Sequence, residues 1–336
     1  MRDTERSSTI ENIRWGILGT GQIAGMFAED LVRIADADLV AVGSRTAAAA
    51  NRFADRFGAD RRHPSYEQLA HDSEVDVIYV TTPHTLHCQN TITCLEAGKA
   101  VLCEKPLAVN AAEAERMTRA AHQHQRFLME AMWSRFLPSV VRLRDLVRDG
   151  AVGELQLLVA DFGFSSSPDP TNRLYDPAIG GGALLDIGVY PIALASMLLG
   201  PPDRISGAAH LGETGVDEQS AYILHHAAGP LAVCHASIRV DTIQDAIVYG
   251  TEGHIRLHRP WWRATGLTVC RRGRAEESID LGLKGQGYTH EAEEVARCLR
   301  AGVLESEHMT WKESLSIMRT MDELRAQWGL RYPTER

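Results

Sequence analysis

The chain has 336 residues, enough for two ordinary domains, and its 44% hydrophobic and 24% charged residues are those of a globular protein, which excludes disorder and fibre. Its formal net charge of -9 offers no basic face to nucleic acid or anionic membrane, although Arg45, Arg52, Arg56, Arg61 and Arg62 cluster locally and leave room for a partner with a few phosphates. The six cysteines form no C-x-x-C pair and read as buried free thiols of a reducing compartment, neither a disulfide frame nor a zinc site.

Residues 1–12 are polar, carry both charge signs and lack the apolar stretch of a secretory signal. The nearest approach to a membrane span, residues 179–199, is interrupted by three glycines and Asp186, so a cytoplasmic protein is expected. Residues 13–18 read as a strand, and Gly19-Thr20-Gly21-Gln22-Ile23-Ala24 follows at once and opens a helical pattern through Met26, Phe27, Leu31 and Ile34. Between a strand and a helix, G-x-G-x-x-A has a mechanism. The first glycine makes the tight turn, the second lets backbone approach a pyrophosphate, and the small Ala24 lets helix pack on strand. The helix N-terminus then faces the phosphates with unpaired N–H groups.

The next strand, residues 38–43, ends in Ser44-Arg45, where an NAD-selective site usually places a carboxylate for the ribose 2′-OH. A guanidinium and a hydroxyl suit a 2′-phosphate instead, so NADP is expected over NAD; the bland alternative makes Arg45 a surface residue opening the helix over 47–57. A third strand over 75–80 runs into Thr81-Thr82-Pro83-His84-Thr85-Leu86-His87 and a helix over 88–98. That loop should lie beside the glycine turn, with Thr81, Pro83, His84 and His87 at the helix start or facing the cofactor. No thiolate or acidic partner stands at ligand spacing, so no metal is expected.

Residues 100–103 read as a buried strand that stops at Glu104-Lys105-Pro106. The stop puts Lys105 at the carboxyl edge of a parallel sheet, where ligands bind, although Glu104 and Lys105 also suit a plain solvated strand end. A helix over 110–124 and a short strand over 127–129 complete an alternation that predicts a doubly wound parallel sheet over residues 12–137. From residue 138 to 330 the texture is different. After one helix to 148, strand-like segments at 155–164, 204–210, 220–226, 231–238, 245–249, 253–258 and 267–270 predict an α+β domain with a large, open, mostly antiparallel sheet. A face that broad often becomes an oligomer interface, so a homodimer or higher homo-oligomer is expected. One helix interrupts the strands: Gly180-Gly181-Gly182-Ala183-Leu184-Leu185-Asp186-Ile187-Gly188-Val189-Tyr190 precedes an apolar run, with Asp186 and Tyr190 four apart and polar in apolar surroundings. Two amphipathic helices, over 288–301 and 311–328, close the chain as packing elements.

Together, Gly19-x-Gly21-x-x-Ala24, Glu104-Lys105-Pro106 and Gly180-Gly181-Gly182-Ala183-x-x-Asp186-x-Gly188 resemble the Gfo/Idh/MocA oxidoreductase family over roughly residues 12–330. Most members carry a histidine where this chain has Tyr190; that departure, with the stretch 129–136 and the ending 329–333, is similar to the branch of dimeric dihydrodiol and NADP-dependent D-xylose dehydrogenases. The resemblance implies a Rossmann domain, a second α/β domain that dimerises through its sheet, and a cis Lys105–Pro106 peptide. It also implies Lys105 and Tyr190 as the catalytic pair, with Asp186 orienting the substrate or the tyrosine.

Oxidising a C–OH group needs a base for its proton while hydride leaves for the nicotinamide, and a tyrosine would need Lys105 nearby to favour its phenolate. Lys105 can equally be the proton-transfer group itself, with Tyr190 only hydrogen-bonding. Trp133, Arg135 and Tyr288 are candidates for a pocket taking a sugar or a cyclic diol, though each could be core. The rival reading is a non-catalytic nucleotide-binding sensor on the same scaffold.

Overall fold

A computed structural model describes residues 12–335, so the reading of residues 1–11 as lacking a secretory signal lies outside the described residues. Among those described, the first sheet has six parallel strands: β1 (Ile13–Leu18), β2 (Ala37–Gly43), β3 (Arg61–His63), β4 (Val77–Val80), β5 (Ala100–Glu104) and β6 (Leu128–Ala131). Their order is 3-2-1-4-5-6, that of a dinucleotide-binding sheet. β4 and β5 are buried at every residue, because helices cover both faces and a parallel strand then has no wet side. The helices are α1 (Gln22–Leu31), α2 (Ala47–Phe57), α3 (Tyr66–Ala70), α4 (His84–Glu96) and α5 (Ala111–His124). Side-chain caps at Thr46, Ser65 and Asn110 start α2, α3 and α5, whereas Gly21 at the head of α1 supplies none.

Sequence periodicity misses β3 and α3, since three residues of Arg-Arg-His carry no apolar alternation. It also starts α4 four residues late: His84 and His87 lie in the first turn of that helix, whose buried face is polar (His87, Asn90, Thr91) as well as apolar.

After α6 (Pro138–Arg148) comes the second sheet: β7 (Leu155–Gly163), β8 (Pro202–Leu211), β9 (Asp217–His226), β10 (Leu231–Ser237), β11 (Ala246–Gly250), β12 (Gly253–Leu257), β13 (Gly266–Arg271) and β14 (Glu277–Asp280). It is mixed, because β10 pairs with β7 in parallel while every other pairing in the sheet is antiparallel. Alternation along β9 and β10 sorts the faces: Tyr222, Leu224, Cys234 and Ala236 are buried, while Ile223 and Val233 are 38% and 37% exposed. Helix α7 (Val189–Leu199) packs on the buried face, and α9 (Trp311–Trp328) lies along β8. The stretch Pro177–Leu199 is long and apolar enough to cross a membrane, yet 83% of its 18-residue apolar window is buried inside the fold, as befits a core segment. The last helix but one, α8 (Thr289–Ala301), packs against α1, so the end of the chain returns to the first sheet.

Glu130 at the end of β6 is 1% exposed; one oxygen accepts from the Leu107 amide, and burial pushes its pKa up to about 7. A buried acid that holds its proton more tightly folded than unfolded loses its stabilising contribution as pH rises from the ordinary carboxyl value to about 7. Denaturant melts of wild type and Glu130→Gln at pH 5 and pH 7.5 should therefore show a smaller pH-dependent loss of stability in the variant; equal losses would contradict this assignment.

Candidate active site

The strand order reverses direction between β1 and β4, and the loops leaving these two strands frame a crevice. Gly19 has φ +116°, and a Cβ there would stand 2.6 Å from the Thr81 carbonyl, so only glycine lets the two loops meet. Gly21 faces open space, with nothing within 4 Å of where its Cβ would be, and the first-turn amides of α1 have no side-chain cap. That is the surface a pyrophosphate needs: room beside Gly21 and free N–H groups at Gln22, Ile23 and Ala24. Ser44 and Arg45 leave β2 on the far side of this turn; the Ser44 hydroxyl lies 3.2 Å from that of Thr20, and Arg45 is exposed.

From Gly21 a cavity of about 510 Å³ runs across to the second sheet, and it gathers most of the predicted residues. Gln22, Ile23, Thr81, Pro83, His84 and His87 line its first-sheet side, with Glu104 and Lys105 at the tip of β5. Asp186, Tyr190, Trp133 and Tyr288 line the opposite side. The volume suits a small organic ligand beside the reactive end of a dinucleotide.

Lys105 reaches its place through a cis peptide to Pro106. Its ammonium donates to the backbone carbonyl of Asp186 at 2.6 Å, lies 3.6 Å from Asp186 Oδ1 and sits 5.0 Å from the centre of the Tyr190 ring. Asp186 belongs to a π-helical turn, Leu184–Gly188, inserted ahead of α7, and it is the carbonyl of this turn that accepts from the lysine. Lys105 and Arg173 hold the Asp186 carboxyl well below its ordinary range in spite of burial. Asp186 bonds Arg173 and faces Lys105, and no bond joins it to Tyr190, so the expectation that it orients the tyrosine is not met.

The phenolate expected at Tyr190 is not favoured either. Burial pushes its hydroxyl well above the ordinary tyrosine value, with Tyr288 and Glu104 adding to the rise, and Trp133 Nε1 donates to the oxygen at 2.9 Å. Tyr190 therefore stands as a neutral phenol with its O–H free to donate. His87 is wholly buried, its ring nitrogens 2.9 and 2.8 Å from the carbonyls of Pro106 and Thr82, which ties the β4 loop to the Lys105–Pro106 turn. The His84 ring packs on the Gly180 carbonyl, 2.9 Å away, and burial brings its pKa down to about 3. Among the described residues no group of side chains could hold a metal ion.

Arg135 corrects the sequence reading. It is 5% exposed and points away from the cavity, bonding the carbonyls of His308 and Ala193 and pairing with Glu313. An arginine beside an aromatic pocket residue looked like a ligand group, but the 3-10 turn Trp133–Phe136 sends neighbouring side chains in opposite directions. Sequence reading also missed Phe162, Phe164 and Arg173. The first two stand two residues apart across the end of β7, Phe162 within the strand and Phe164 just past it, a period-2 signal present in the sequence, and Phe162 stacks on Trp262 at 4.8 Å to back the aromatic wall. Arg173 lies in a Ser- and Pro-rich loop with no periodicity at all.

A doubly wound sheet with a glycine turn, opening onto a buried lysine, carboxylate and phenol, defines a dinucleotide-dependent oxidoreductase. The comparisons give the family. Residues 13–132 match the Gfo/Idh/MocA oxidoreductase family with NAD-binding Rossmann fold, and residues 140–256 match the Gfo/Idh/MocA C-terminal domain. The chain belongs to the Gfo/Idh/MocA family. It is 38% identical to the trans-1,2-dihydrobenzene-1,2-diol dehydrogenase of Danio rerio, covering 95% of this chain and 98% of that one. It is 34% identical to the D-xylose 1-dehydrogenase (NADP(+)) of Hypocrea jecorina, covering 96% and 93%. Its fold matches a 3-ketoreductase from Actinomadura kijaniata in complex with NADP and TDP-benzene, with TM-score 0.82, 26% identity and coverage of 94% and 97%.

Replacing Arg135 by Met should cost about 3 kcal/mol in a urea melt, because it leaves the Glu313 charge without its buried partner, while KM for any substrate stays as it was. An Arg135→Met protein with normal stability and a raised KM would restore Arg135 to the pocket.

Proposed function

We propose that this protein is an NADP-dependent dehydrogenase that oxidises the C1–OH of an aldose or a hydroxyl of a cyclic trans-diol. The observation that carries the reading is the meeting of Lys105, Asp186 and Tyr190 around one cavity that continues into the glycine turn. The residues present fit a nicotinamide dinucleotide: uncapped amides and open space at Gly21 for the pyrophosphate, and Arg45 with Ser44 for a 2′-phosphate. The bound nicotinamide supplies the two-electron acceptor.

The protein's own part is to hold the alcohol and manage its proton. Aromatic faces from Trp133, Phe162 and Tyr288 suit the apolar side of a sugar or diol ring. In the reducing direction the Lys105 ammonium gives a proton to the substrate oxygen, and in the oxidising direction the neutral amine takes the hydroxyl proton; the neutral Tyr190 O–H donates to the same oxygen as charge develops there. Asp186 supplies the backbone carbonyl on which the lysine rests, with its carboxylate 3.6 Å from the ammonium. In this scheme residues 12–137 bind the dinucleotide, and residues 138–330 supply the substrate wall and the outer sheet.

That sheet face supports a homodimer. Ile223 and Val233 are large apolar residues exposed on neighbouring strands, on a broad face that no helix among the described residues covers. A cytoplasmic location is supported by six free cysteines, five of them buried, since a reducing compartment leaves such thiols unpaired.

With NADP and a panel of aldoses and trans-diols, purified protein should generate the reduced-nicotinamide absorbance, and Lys105→Met should lose about 10²-fold or more in kcat. Normal turnover by that variant would remove Lys105 from the chemistry. Fluorescence titration should give NADP about 10-fold tighter binding than NAD, an advantage that Arg45→Ala abolishes. Light scattering should return twice the chain mass, and one chain mass for Ile223→Asp; a monomeric wild type would refute the sheet interface.

A further inference from the structure

The loop between β7 and the Pro177 turn brings a second cation to the Asp186 carboxylate. Arg173 Nη1 donates to Oδ1 at 3.0 Å and Nη2 approaches Oδ2 at 3.3 Å, while the Lys105 ammonium stays 3.6 Å from Oδ1. An unshared carboxylate beside an ammonium closes to about 2.8 Å. Here the guanidinium fork occupies both oxygens, and the lysine rests on the Asp186 backbone carbonyl instead.

The other titratable groups around the pair do not replace this cation. His84 is neutral, since burial takes its pKa to about 3, and both His87 ring nitrogens lie against backbone carbonyls. Tyr190 is a neutral phenol, and Glu104 at the end of β5 accepts from the Tyr79 hydroxyl and the Lys105 amide.

The glycine run explains how the loop is held. The amides of Gly181 and Gly182 donate to the carbonyls of Asp176 and Leu174 at 2.9 and 2.8 Å. A Cβ on Gly181 would stand 2.7 to 2.9 Å from three loop carbonyls, those of Leu174, Arg173 and Asp176. Glycine at 181 therefore lets the backbone of residues 173–176 lie directly on the turn that leads to Asp186. The Arg173 side chain is 58% exposed at the cavity mouth, so core packing does not account for it.

We propose that Arg173 is a positioning residue for the reaction: its fork holds the Asp186 carboxylate off Lys105, which leaves the lysine amine available to the substrate oxygen. This rests on the reading that Lys105 carries the proton. Without Arg173 the carboxylate turns onto the ammonium as a contact ion pair, and the amine is withdrawn from the alcohol.

The full chain is assayed with NADP and the aldose and trans-diol panel as wild type, Arg173→Ala, Arg173→Lys and Lys105→Met, with folding checked by circular dichroism. In Arg173→Ala, kcat should fall 10- to 100-fold, on the order expected for a misplaced reacting group, with NADP affinity by fluorescence unchanged. Arg173→Lys should recover part of the loss. Millimolar guanidinium should restore Arg173→Ala saturably, because the vacated site opens to solvent, with no effect on wild type or Lys105→Met. Full activity in Arg173→Ala, a folded Arg173→Lys as impaired as Arg173→Ala with no guanidinium rescue, or a parallel loss of NADP affinity would each overturn the proposal. An active Lys105→Met would instead bring down the underlying reading, whereas an inactive Lys105→Met beside a fully active Arg173→Ala would defeat the Arg173 role alone.

Discussion

The two halves of the molecule meet, at the point where chemistry is proposed, in the hydrogen bond of the Lys105 ammonium to the backbone carbonyl of Asp186. The lysine comes from the tip of the first sheet and the carbonyl from the turn before α7, which packs on the second. A cation 13% exposed needs acceptors, and the Asp186 carbonyl in the π-helical turn provides one. The rest of the site follows from satisfying that buried charge. Asp186 stays ionised because cations flank it, and Tyr190, which places its ring beside the ammonium, stays neutral.

Around this contact the protein sets a gradient of polarity. The glycine turn and the uncapped head of α1 are open and hydrogen-bond-hungry, as an anionic cofactor requires. Across the cavity, Trp133, Tyr288, Phe162 and Trp262 form a continuous aromatic wall with ring centres 4.8 to 6.0 Å apart. A ring with one apolar face and several hydroxyls fits between two such surfaces, which agrees with the sugar and diol dehydrogenases among the relatives.

Much of this was legible in the sequence, for physical reasons. A strand-glycine-helix junction, a strand that ends on a lysine and proline, and a glycine run ahead of an aspartate are local signals, and the fold brings all three to one cavity. Alternation separated the parallel from the mostly antiparallel half, although the parallel pairing of β10 with β7 is a long-range choice that no local pattern encodes. What stayed hidden depended on side-chain direction. Arg135 and Trp133 are two residues apart and diverge at a 3-10 turn; Arg173 sits in a loop without periodicity, held by its own turns and by its carbonyls resting on Gly181 and Gly182. Protonation was hidden as well. Proximity to a cation suggested a phenolate at Tyr190, but burial outweighs one ammonium stacked on the ring face.

The most direct test is a crystal structure of the complex with NADP and an alcohol substrate. The account predicts the reacting oxygen within about 3 Å of both Lys105 Nζ and the Tyr190 hydroxyl, with its carbon facing nicotinamide C4. A substrate oxygen bound away from Lys105, or a nicotinamide turned out of the cavity, would contradict it.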